Sequence, residues 1–228
     1  VALAIKEFGA LDIVVNSAAI MRPADVVSVQ AADLQQVLAT NLSAAVQLCA
    51  AAAPPMLLQM RAGRLPGRMI NLVGASGLFG QRGDVATAAA KAGLIGATRA
   101  IAHDLAGAHI TCNALVPFAA TRALDAAAAI TTQERRYRDW NSQLPAAPIA
   151  NVVAWLASSM AARVSGQIFG VRGRELFLFS QASPIERVFL SAGVLDADEA
   201  SDLILNTLAP LFTPLHTEVE VFHSEPII

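Results

Sequence analysis

The feature that most constrains this chain is an alternation. Strand-length runs that are almost wholly apolar are separated by alanine-rich stretches of helical length. The strand-like runs are residues 11–16 (LDIVVN), 68–73 (RMINLV), 110–116 (ITCNALV) and 167–171 (QIFGV). The helix-like stretches are residues 32–53, 85–105 and 151–160, the first expected to stop at Pro54-Pro55. Strands without polar alternation are buried on both faces, so the pattern predicts a parallel sheet covered by helices on either side. Ligands of such sheets gather at the carboxyl ends of the strands, here residues 16–19, 74 onward and 117 onward. Residues 173–228 read as a tail with a strand-like 176–179 and a helix-like 197–208.

Composition narrows the classes of function. Of 228 residues 55% are hydrophobic and 15% charged, which excludes a disordered chain. Sixteen basic against eighteen acidic residues give a net charge of -2, with no electrostatic case for nucleic acid or an anionic membrane surface. The longest apolar stretch, residues 44–58, is interrupted by Gln47 and Pro54-Pro55, so no membrane span is expected. The opening VALAIKEF carries Lys6 and Glu7 where a signal peptide needs an apolar run. Cys49 and Cys112 have no ligand-type spacing and read as two buried thiols in a reducing, cytoplasmic setting.

Four motifs fall in one register along residues 1–171: LDIVVNSAA, TNLSAAV, INLVGASGLFGQRGDVATAAAKAG and ITCNALVPFAATR. In this they resemble the short-chain dehydrogenase/reductase family. The resemblance implies a doubly wound, Rossmann-like fold and an NAD- or NADP-dependent oxidoreductase of hydroxyl or keto substrates. The tail after VRGRE is similar to relatives of the hydroxyacyl-CoA dehydrogenase part of the peroxisomal multifunctional enzyme. Residues 1–10 resemble the end of the family's third helix. The expectation is therefore the second half of the sheet, residues 1–172, lacking its first three strands and the glycine turn that cradles the pyrophosphate. Residues 173–228 are expected to be an extension packed on the same domain.

Carried across residue by residue, the resemblance implies that Lys91 is the catalytic lysine and that Asn41 holds the water of the proton relay. Asn16, Ala18, Lys91, Pro117 and Thr121 fall where the family binds its cofactor. Two positions depart. Gly74 stands at the serine position and Thr87 at the tyrosine position, one helical turn before Lys91. Tyr137 is the chain's single tyrosine, so no other register restores the phenol. Hydride transfer to a ketone needs a proton donor at the forming alkoxide, and an aliphatic hydroxyl is a far weaker acid than a phenol beside an ammonium. The family mechanism is thus unsupported as it stands, and an impaired or inactive oxidoreductase is expected. Ser76, two residues beyond the serine position, would have to re-aim to replace it.

Other signals have plainer readings. The Gly74-x-x-Gly77-x-x-Gly80-x-x-Gly83 run matches neither phosphate-binding glycine motif. Asn16 and Asn71 are expected to stitch the sheet edge and nearby loops, and Thr121 is equally a turn hydroxyl. Residues 130–144 read as a lid over the substrate or as an exposed charged helix. His216, His223, Glu218 and Glu220 read as scattered surface residues, so no metal site is expected. The competing reading is a non-catalytic subunit or binding protein that stabilises an active relative. Its partners would be a small hydroxyl or keto molecule and a homo- or hetero-oligomer, built through the alanine-rich helix.

Overall fold

In a computed structural model of the chain, which describes residues 1–121, 130–189 and 196–228, the apolar runs pair in the order in which they occur. After helix α1 (Ala2–Phe8) come strand β1 (Ile13–Asn16), α2 (Ala31–Leu38), α3 (Ala44–Arg61), β2 (Arg68–Leu72), α4 (Ser76–Phe79) and α5 (Val85–Asp104). Strand β3 (Thr111–Phe118), α6 (Thr132–Asn141), α7 (Ala147–Ala157), β4 (Ile168–Arg172) and β5 (Glu175–Phe179) follow. Strands β1 to β4 are parallel neighbours in that order, and β5 runs antiparallel to β4 at the far edge. The doubly wound α/β architecture expected from the pattern is the one observed.

Burial explains the pattern. β2 is covered along its whole length and β3 along all but Pro117, as continuous apolar strands should be. Ile70, Leu72 and Leu115 pack against Ile149 and Leu156 of α7 on one face of the sheet. Met69 and Cys112 meet Cys49, Ala52 and Met56 of α3 on the other. β1 stands at the opposite edge, with Ile13 and Val15 exposed.

One boundary differs from expectation. The 32–53 helix does not stop at the prolines: α2, a wider π turn at Ala39–Ser43 and α3 run on to Arg61 with Pro54 and Pro55 inside. Pro54 lies on the solvent side, as does Ala50, the carbonyl left without its helical partner, so water can satisfy it. The buried face Val37, Asn41, Ala45, Cys49, Ala52 and Met56 continues through the break and holds the helix to the sheet. The resulting Ala31–Arg61 segment is long and apolar enough to cross a membrane by length and composition. That face is the one it buries in this fold.

The chain divides into two compact units, Val1–Phe179 with Thr217–Ile228, and Ser180–His216. In the first, helix α9 (Glu218–Val221) brings Val219 and Phe222 into a cluster with Val73, Ala75, Phe118, Tyr137, Phe177 and Phe179. In the second, α8 (Ala197–Leu203) starts at Asp196, whose carboxylate accepts the Glu199 amide at 2.8 Å. Arg122, the last residue of the fourth motif, lies outside the described residues.

Candidate active site

Because β1, β2 and β3 are parallel, their carboxyl ends share one edge of the sheet, and the residues singled out in the sequence gather there. β2 ends at Leu72, and Lys91 reaches over from α5 to donate a hydrogen bond to the Leu72 carbonyl at 2.8 Å. Burial without an anionic partner lowers the pKa of Lys91 to about 8. The chain then turns at Gly74 into α4, which lies directly on α5. A Cβ at Gly77 would meet the Lys91 backbone carbonyl carbon at 2.7 Å, so only glycine permits this approach. Gly80 and Gly83 have positive φ values of 75° and 71°. The glycine run is a device of packing and turns.

Gly74 has room for a side chain. A Cβ there would sit 3.5 Å from Ser76 Oγ and 3.7 Å from Lys91 Cγ, both ordinary contacts. Ser76 thus brings its hydroxyl to the place where a side chain at 74 would begin. Thr87 is buried one turn from Lys91, and its Oγ1 makes no well-formed hydrogen bond. Asn41 lies in the π turn, where its side chain clamps Ile20: Oδ1 accepts the Ile20 amide and Nδ2 donates to the Ile20 carbonyl, both at 2.8 Å. That clamp fixes the loop leaving β1.

The remaining sequence candidates divide. Asn16 turns inward, and its Nδ2 donates to Asn71 Oδ1 at 2.8 Å and to the Ala45 carbonyl at 3.3 Å. Asn71 passes the network on by donating to Thr98 Oγ1 at 2.9 Å. Ala18 and Thr121 are exposed beyond the ends of β1 and β3, and Pro117 is half-buried in β3. For a nicotinamide group the edge offers Lys91, whose ammonium has further N–H donors, and the buried Thr87 hydroxyl beside Asp84; these residues fit the group's ribose and carboxamide.

Two groups at this edge were not among the sequence candidates. Asp84, where α5 begins, is buried, and burial raises its pKa against the opposing pull of the nearby Thr87 hydroxyl and amide. Glu218 of α9 is partly buried rather than a scattered surface residue. Burial first, and the negative charge of Asp84 second, push its pKa up to about 7. The T-x-x-E spacing of Thr217 and Glu220 is a capping box that marks the start of α9, the one sequence signal pointing to order in this part of the tail. The 130–144 stretch holds α6, begun by a capping box of Thr131 and Glu134. Its Tyr137 is sunk in the core, where burial and Glu218 raise the phenol's pKa, so it is no substitute acid. Among the described residues no three His, Cys, Asp or Glu side chains gather as metal ligands.

Known proteins share this architecture and sequence. A family model described as Enoyl-(Acyl carrier protein) reductase matches residues 1–173. The chain is similar to the 3-oxoacyl-[acyl-carrier-protein] reductase FabG of Staphylococcus aureus, 34% identical over 176 residues, covering 74% of this chain and 68% of that protein. To the FabG of Escherichia coli it is 35% identical over 173 residues, covering 73% and 67%. The crystal structure of a short chain dehydrogenase from Mycobacterium avium superposes with a TM-score of 0.78 at 26% identity, covering 95% of this chain and 70% of that one.

Proposed function

The chain belongs to the short-chain dehydrogenase/reductase family, and on that premise we propose that it works on a carbonyl or hydroxyl group of an acyl thioester with NAD or NADP. The thioester class is supported by the names of its 3-oxoacyl-[acyl-carrier-protein] reductase relatives. The observation that carries the reading is Lys91: a buried ammonium held on the end of β2, against the turn at Gly74 and one helical turn from Thr87. A nicotinamide cofactor supplies or takes up the hydride when bound at this edge. Lys91 orients its ribose, while Pro117, Thr121 and Ala18 border the nicotinamide pocket. Asn41 and Asn16 hold the β1 loop in place for it.

The exposed outer edge of β1, with Ile13 and Val15, is where further strands of such a sheet would pair. Replacement of the family's serine and tyrosine by Gly74 and Thr87 makes the chain slow compared with its relatives. α5 also exposes a stripe of small residues, Ala89, Ala92, Gly96 and Ala100. This favours close helix packing against another copy or an intact relative in the cytoplasm, the arrangement a stabilising subunit would use.

The test restores the two side chains. Gly74→Ser fits without a clash. The double variant Gly74→Ser, Thr87→Tyr should therefore reduce acetoacetyl-CoA with millimolar NADPH or NADH roughly 100-fold faster than the native chain, the scale of a general acid's contribution. No gain in a folded double variant would favour the subunit reading, which predicts co-purification with an active relative.

A further inference from the structure

Between α6 and α9 lies a cavity of about 390 Å³, the size that small-molecule sites take. Thr132, Arg136 and Trp140, each one helical turn from the next, line it from α6. Val219 of α9 and His223 just beyond it line it from the other side. Gln133 ties the two sides together, its Nε2 donating to the Val219 carbonyl at 3.5 Å. The ring of Tyr137 closes the cavity against the core. Phe222, next to His223, packs at 4.7 Å on Phe118, the last residue of β3. The cavity therefore lies at the carboxyl-end side of the sheet, where Lys91 and Thr87 also gather.

The polar groups of this cavity suit an anion. The Arg136 guanidinium lies over the Trp140 ring at 4.6 Å, which holds the plane of its N–H fork. Among the described residues no carboxylate pairs with it, and none lines the cavity. The Glu220 carboxylate is turned to the start of α9, where it accepts the Thr217 amide at 2.7 Å. Thr132 Oγ1 accepts from Arg135 at 3.4 Å, so its O–H remains to donate. His223 Nδ1 donates to the Glu220 carbonyl at 3.0 Å, which leaves Nε2 for a ligand. A guanidinium, a hydroxyl and an imidazole on two sides of one space match the tetrahedral oxygens of a phosphate better than a flat carboxylate. The cavity is larger than a phosphate, and Tyr137, Trp140 and Val219 offer ring and apolar surface to an uncharged arm attached to it. We propose that this cavity binds the phosphate of the pantetheine arm on which the acyl thioester is carried, anchoring the arm beside the edge that holds Lys91. The proposal rests on the thioester reading above, and the same phosphate is presented by coenzyme A or by an acyl carrier protein.

Calorimetric titration of the 228-residue chain with phosphopantetheine and with pantetheine tests the site without turnover or nicotinamide cofactor. The phosphorylated arm should bind roughly 10-fold more tightly, the scale of one hydrogen bond to a charged group. Arg136→Met should remove that difference and leave pantetheine binding in place. Arg136→Lys, which keeps the charge and loses the fork, should recover only part of it. Arg136 is exposed, so neither substitution touches the core. Equal affinity of the native chain for the two ligands, or a difference that survives Arg136→Met, overturns the proposal. Coenzyme A and a carrier protein bearing the same arm are titrated next, and the one whose binding Arg136→Met weakens is the source. Weakening of neither sinks the proposal. Discrimination for the phosphate in a chain that reduces no thioester upholds the site and brings down the oxidoreductase reading. Thioester reduction without that discrimination overturns the site alone.

Discussion

Lys91 and Glu218 impose opposite pH slopes on stability. The folded-state pKa of Lys91, about 8, lies below its ordinary 10.5. Between those values the unfolded chain binds more protons, so this contribution to stability rises with pH across that window. Lys91→Met should remove the rise, and should make the protein roughly 1 kcal/mol more stable at pH 7 by deleting a buried cation. Glu218 runs the other way: its folded pKa of about 7 lies above 4.5, so its contribution is full below 4.5 and is lost as pH climbs through 7. Urea midpoints of Glu218→Gln should be flatter across that range than those of the native chain. A slope unchanged by the substitution would mean that Glu218 is solvated. Lys91, Thr87 and Gly74 were legible in the sequence because a fixed spacing along one strand, turn and helix places them. The burial of Glu218 was not, because it depends on how α9, far along the chain, folds back onto the core.

At the scale of elements, α4 seats on α5 through Gly77. Gly77→Ala would force its Cβ to within 2.7 Å of the Lys91 backbone. It should therefore cost about 2 kcal/mol by overpacking and displace the Lys91 ammonium as well. A midpoint within experimental error of the native one would show that α4 shifts freely. The Ala31–Arg61 helix carries a cost at its prolines. Pro54→Ala should stabilise the protein by about 1 kcal/mol, since the exposed interior proline removes a helical hydrogen bond. Strand positions could be read closely because each core strand is apolar throughout. The end of this helix could not, because proline is a strong local signal that a long buried face on the sheet overrides.

At the scale of the molecule, the first unit is closed by its own C-terminus. Phe222 stacks edge-on against Phe118 at 4.7 Å and Phe177 at 5.3 Å, next to the edge that gathers the site. Phe222→Ala should cost about 3 kcal/mol and loosen α9, and with it Glu218. The measurement that tests the central claim most directly is the single-turnover reduction of acetoacetyl-CoA by the native chain at millimolar NADPH, set beside Lys91→Met. Slow but measurable reduction that Lys91→Met abolishes is the expected result. No reduction by the native chain, or an equal rate in the folded Lys91→Met protein, would contradict the account.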